Sequence, residues 1–123
     1  MKTISISTLN AMKENDEKFA VLTAYDYTFS RLIESSSIEV SLVGDSLGNV
    51  IQGCDSTIPV TVDEMAYHTA AVKRGNKRSL LVSDMPFMSY STEVNALDNA
   101  AVIMQAGAQM VKVEGGEWLA DTV

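Results

Sequence analysis

A chain of 123 residues, 46% of them hydrophobic, has the length of one small domain and enough apolar side chain for a core. Its formal net charge of −7, with no basic cluster, argues against a nucleic-acid surface or an anionic membrane as partner. No segment nears the ~20 apolar residues that cross a bilayer, the first residues lack a signal-peptide core, and the single Cys54 cannot close an internal disulfide. A soluble cytoplasmic protein is therefore expected.

Helical and strand signals alternate along the chain, the pattern of an α/β fold. A short helix is predicted from about Thr8 to Glu14, with Leu9 and Met12 on one face, and Phe19–Thr23 reads as the first strand. Phe29, Leu32 and Ile33 stand at helical spacing before a second strand near Val40. The connection from Gly44 to Val60 is long for a βα loop, which usually takes about 2–6 residues. It reads as a lid or substrate loop, or as a short strand and a turn. Thr61-Val62-Asp63-Glu64 is a capping box, with Val60 and Met65 placed as a hydrophobic staple. Gly75 stands where a left-handed helix cap is expected. A strand at Leu80 follows, then a helix opening at Ser91 or Thr92 whose Val94, Leu97, Ala101 and Met104 predict a buried stripe. Gly107 ends that helix and Met110 begins a fourth strand. Glu117–Val123 reads as the start of another helix.

Three of these strands end in an acid. Val40–Val43 leads into Gly44-Asp45-Ser46, Leu80–Ser83 into Asp84, and Met110–Val113 into Glu114. Parallel strands of a barrel deliver their C-terminal ends to one site, and three hard carboxylates there suit a cation of the magnesium class. Aspartates after strands also serve as helix N-caps, which is the plain alternative. Lys112 stands among Met110, Val111 and Val113, where an unpaired ammonium is costly. Alternation along a strand puts it on the same face as Glu114, so the two are expected to form a charge pair in a cleft that receives an anion. A lysine reaching solvent from a strand end is the alternative. Gly115-Gly116 suits a close anion or a simple turn. His68, within the capped helix, reads as structural or surface, and Trp118 as a packing residue. Four βα units make half of a (β/α)8 barrel, which typically needs ~250 residues. The chain is therefore expected to be one incomplete barrel domain, residues 1–123, ending before the barrel does.

Thr23-Ala24-Tyr25-Asp26, Val43-Gly44-Asp45-Ser46-Leu47-Gly48, Gly53-Cys54-Asp55-Ser56-Thr57, Pro59-Val60-Thr61-Val62, Ala66–Val72 and Lys112-Val113-Glu114-Gly115-Gly116 stand in this order. The set resembles the ketopantoate hydroxymethyltransferase family from about Thr3 to Val123. The resemblance implies a (β/α)8 barrel in a cytoplasmic homo-oligomer, typically a decamer in bacteria. It also implies transfer of a one-carbon unit from 5,10-methylenetetrahydrofolate to 3-methyl-2-oxobutanoate, giving 2-dehydropantoate for pantothenate and coenzyme A synthesis. By matching motif, Asp45, Asp84 and Glu114 are expected to serve Mg2+, and Asp45, Ser46, Asp84 and Lys112 to contact the 2-oxo acid in metal-assisted enolate chemistry. The family's general base is a glutamate that nothing up to Val123 matches, so the chain alone is expected to be inactive. Two rivals are a non-catalytic half-barrel and a magnesium-dependent 2-oxo-acid barrel of the phosphoenolpyruvate mutase and isocitrate lyase type.

Overall fold

The computed structural model describes residues 2–123. Its elements in chain order are α1 (Ile6–Glu14), β1 (Val21–Thr23), α2 (Tyr27–Ser35), β2 (Val40–Val43), α3 (Leu47–Val50), α4 (Val62–Gly75), β3 (Leu80–Asp84), α5 (Glu93–Gln105) and β4 (Met110–Lys112), followed by a 3-10 turn at Glu117–Leu119. The strands form one parallel sheet in the order β1-β2-β3-β4, with helices in every crossover. This is the first half of a (β/α)8 barrel, as the alternation of elements implies.

Period-2 alternation sorts the strand residues between two faces. Val43 and Leu81 join Met65 and Val72 of α4 and Ile103 of α5 in the main core. Val40, Leu80 and Val82, on the opposite face, pack with Ile4 and Leu9, so α1 lies beneath the N-terminal end of the sheet. Asp84 follows Leu80 and Val82 on that second face, the barrel interior, at the C-terminal end. Buried hydroxyls tie the layers together: Thr69 Oγ1 of α4 donates to Ser83 Oγ of β3 at 2.9 Å, and Ser30 Oγ of α2 to the Val72 carbonyl of α4 at 2.7 Å.

The capping box at Thr61 forms in both directions, with Glu64 N–H donating to Thr61 Oγ1 and Thr61 N–H to Glu64 Oε2. The first helix starts two residues before the predicted Thr8, because Ser5 caps it in a box whose other member is Thr8 itself. That box lacks the glutamate or glutamine that makes the motif legible. Gly107 follows α5 and ends it as expected, with a φ of +127° that favours glycine.

Four expectations are corrected. Gly75 is the last residue of α4 and has no left-handed φ; a Cβ there would lie 2.9 Å from Ser30 Cβ and Oγ, so its role is close packing against α2. The α5 stripe faces outward: Val94, Leu97 and Met104 are 70%, 71% and 47% exposed, while Ala96 and Ile103 are buried against the core. The helix is apolar on two sides, and the side that carries Ala96 and Ile103 faces the core. The Gly44–Val60 connection holds the short helix α3 rather than a strand, seated by buried Leu47. Finally, Glu117–Leu119 forms a 3-10 turn rather than an α-helix, although the buried Leu119 anchors it to the core.

Candidate active site

The C-terminal ends of β2, β3 and β4 bring Asp45, Ser46, Asp84, Lys112 and Glu114 together, all five of the residues singled out in the sequence. Register aligns Asp84 with Lys112 across β3 and β4, and the Lys112 Nζ lies 3.1 Å from Asp84 Oδ1. The same ammonium donates to Glu114 Oε1 at 2.6 Å, so Lys112 and Glu114 share a face as alternation requires. Lys112 ends a strand that is an edge among the described residues. Its side chain is 42% exposed, so it is not enclosed in a central strand as expected from its neighbours.

Asp84 is the pivot. Its Oδ2 accepts the Asp45 backbone N–H at 2.9 Å, which fixes the turn after β2 against β3. Its Oδ1 is buried and has the Lys112 ion pair but no hydrogen bond of good geometry. A buried carboxylate oxygen held by charge alone has room in its coordination for another cation.

Electrostatics separates the acids. Burial, then the charges of Asp84 and Glu114, push the Asp45 carboxyl above the usual aspartate value, although Lys112 and a hydrogen bond with Thr57 pull the other way. Glu114 moves below the ordinary glutamate value because Lys112 hydrogen-bonds and attracts it. Burial disfavours the Lys112 charge, but the hydrogen bond to Glu114, the close contact with Asp84 and the charges of both outweigh it, so its pKa is raised and the ammonium persists.

Among the described residues, no three His, Cys, Asp or Glu side chains already converge as a metal cage. The donor chemistry nevertheless fits a hard divalent ion: three carboxylates gather around a single ammonium, and one of their buried oxygens lacks a hydrogen bond. Glu114 makes the shorter contact with Lys112, 2.6 Å against 3.1 Å for Asp84, so Asp45 and Asp84 are the residues that could hold such an ion.

A cleft of about 300 Å³ opens beside these acids, lined by Asp45, Thr57, Met85, Phe87, Met88, Tyr90, Glu114 and Trp118. Its polar end carries the carboxylates and the rest is apolar, as ligand clefts usually are. The Trp118 ring stacks on Tyr90 with centroids 6.2 Å apart, and Tyr90 O–H donates to the Glu114 carbonyl at 2.8 Å. Trp118 thus both packs and lines the cleft. Met88, at φ +58°, holds its loop in a left-handed turn. The Asn95 amide nitrogen binds the Met88 carbonyl and that of Asn99 the Ser89 carbonyl, steadying that turn. Sequence reasoning missed Thr57, Met85, Phe87, Met88 and Tyr90. They lie in loops whose place depends on packing, and only the length of the Gly44–Val60 connection hinted at one of them.

His68 is half-buried, with Nδ1 2.7 Å from the Tyr25 carbonyl, a structural bond as expected. Gly115 and Gly116 form the turn into Glu117–Leu119. No helix among the described residues is long and apolar enough to cross a membrane.

Comparison with known proteins agrees with this fold. Solved structures share the fold: a phosphonopyruvate hydrolase in complex with oxalate and Mg++ (TM-score 0.69, 13% identity, 84% of this chain and 36% of that one). A 2,3-dimethylmalate lyase of the phosphoenolpyruvate mutase/isocitrate lyase superfamily gives TM-score 0.65 at 14% identity, over 91% and 40%. At these identities the likeness concerns fold alone. In sequence, the chain is 58% identical to the 3-methyl-2-oxobutanoate hydroxymethyltransferase of Cronobacter sakazakii, over 100% of this chain and 47% of that protein. It is also 58% identical to that of a Marinomonas species, over 99% and 44%. The chain thus spans about half the length of these relatives. The family model for ketopantoate hydroxymethyltransferase matches residues 3–123, and the chain belongs to that family.

Proposed function

We propose that this chain supplies the metal- and keto-acid-binding half of an enzyme that transfers a hydroxymethyl group from 5,10-methylenetetrahydrofolate to 3-methyl-2-oxobutanoate, yielding 2-dehydropantoate. The observation that carries the reading is the Asp84–Lys112–Glu114 array beside Asp45 and Ser46, in a chain 58% identical to relatives of that name. Asp45 and Asp84 would hold Mg2+, with Glu114 at its edge. The chemistry Mg2+ would supply there is Lewis-acid stabilisation of the negative charge that develops on the 2-oxo acid.

The chain's own residues do the rest. Lys112, kept cationic by Asp84 and Glu114, attracts the substrate carboxylate, and the Ser46 hydroxyl donates to it. Two fixed donors orient the small acid so that its reacting carbon faces the apolar cleft, where the one-carbon donor would approach. Met85, Phe87 and Met88 exclude water from the alkyl end. Proton removal falls to a base outside this chain, and such assistance typically contributes ~10²–10⁴-fold. As in the family, the working enzyme is proposed to be a cytoplasmic homo-oligomer.

The test compares the full-length enzyme with its Asp84→Asn variant in folate-dependent hydroxymethylation of 3-methyl-2-oxobutanoate. Activity that falls at least a hundredfold supports the reading; activity retained within threefold overturns it. The purified 123-residue chain is expected to leave the keto acid's exchangeable C–H unlabelled in D2O, and rapid deuterium uptake would contradict the assignment of the base.

A further inference from the structure

Ser46 is held by a residue from another strand. Tyr25 follows β1, where the Ala24 N–H still donates to the Leu42 carbonyl at 3.0 Å and so fixes this segment to β2. The Tyr25 hydroxyl lies 2.6 Å from Ser46 Oγ. From the other side, the Tyr25 carbonyl accepts from His68 Nδ1 of α4 at 2.7 Å, which places the imidazole proton on Nδ1. The seat of the serine oxygen is also tight, since a Cβ on Gly44 would lie 2.9 Å from Ser46 Oγ.

We propose that Tyr25 is a positioning residue that sets the direction of the Ser46 hydroxyl, with His68 holding Tyr25 in place. The inference rests on the proposed role of Ser46 toward the substrate carboxylate. A serine hydroxyl has one proton to give. If that proton goes to the carboxylate, the short bond to Tyr25 must run from the phenol to the serine oxygen. Tyr25 then occupies a serine lone pair and leaves the proton directed at the cleft. Without the phenol the hydroxyl is free among its staggered positions and binds the carboxylate at an added ordering cost. The chain Tyr25 O–H to Ser46 O–H to carboxylate is cooperative, each bond polarising the next.

The experiment uses the full-length enzyme with 3-methyl-2-oxobutanoate as varied substrate. Tyr25→Phe keeps the ring and is expected to raise KM about three- to tenfold, the worth of one net hydrogen bond, with kcat little changed. In a Ser46→Ala background the same substitution is expected to have no further effect. His68→Ala is expected to reproduce part of the KM rise, and His68→Asn, which restores a nitrogen donor near Nδ1, to reverse it. Should Tyr25→Phe fail to fold, the His68 pair decides. An unchanged KM in Tyr25→Phe, or an equal rise with and without Ser46, overturns the positioning role. If Ser46→Ala alone leaves KM unchanged, the fault lies with the keto-acid reading itself.

Discussion

Replacing Lys112 by methionine separates two roles that the array combines. In the metal-free protein the ammonium offsets Asp84 and Glu114, at 3.1 and 2.6 Å. A unit charge pair at 3.1 Å interacts by about 5 kcal/mol at an effective dielectric of about 20 and about 1 kcal/mol in water. Because the lysine side chain is 42% exposed, the solvent-screened end of that range applies. Lys112→Met is expected to cost about 1–3 kcal/mol, most of it from leaving Asp84 buried beside Asp45 without a counter-charge. In a full-length barrel that is a melting temperature lower by about 2–10 °C in EDTA. Magnesium should narrow that difference. A divalent ion and an ammonium on the same carboxylate, ~4–5 Å apart, repel by about 2 kcal/mol even at the dielectric of water. Removing the ammonium should therefore tighten Mg2+ binding by more than tenfold. That adds about 1.4 kcal/mol or more of linked stabilisation, and the Mg2+-induced rise in melting temperature should exceed that of the wild type by about 3–6 °C. Differential scanning fluorimetry in EDTA and in millimolar MgCl2 reads both effects. A variant whose Mg2+-induced shift equals or falls below that of the wild type would refute the reasoning, because Lys112 and the cation would then not share Asp84.

Other outcomes follow from the packing and the caps. Gly75→Ala would push a methyl to 2.9 Å from Ser30; despite the better helix propensity, chemical denaturation should show a loss of about 1–3 kcal/mol. Thr61→Ala removes half of the α4 capping box and should cost about 1 kcal/mol by the same assay. The Glu64 carboxyl sits below its ordinary value of 4.5 because it accepts the Thr61 backbone N–H, with a further bond from Gln52. A depressed folded-state pKa means that its stabilisation is full above 4.5 and is lost as pH falls through the folded value, so Glu64→Gln should flatten the acid limb of stability below pH 4.5. An unaltered acid limb would show that the box carries no pH-dependent stability.

The sequence announces the site better than it announces the surroundings of the site. Asp45, Asp84 and Glu114 are legible because a buried parallel strand is an unbroken apolar run, and a carboxylate at its end has one direction to go. Lys112 is legible from the alternation that pairs it with Glu114. The outward stripe of α5 is not, since periodicity reveals a second apolar face on Val94, Leu97 and Met104 but not which face the sheet takes. Gly75 looks like a cap because capping and close packing both select glycine, and only the approach of Ser30 tells them apart. Tyr25 and Ser46 are 21 residues apart and meet only because β1 pairs with β2, a contact that no local pattern encodes.

In the proposed function the carboxylates gathered at the strand ends hold a divalent cation. Isothermal titration of the full-length enzyme with MgCl2, wild type against Asp84→Asn, tests it most directly. One Mg2+ per chain is expected in the wild type and at least tenfold weaker binding in the variant, with the fold intact by circular dichroism. Equal affinity in both proteins, or no binding in either, would contradict it.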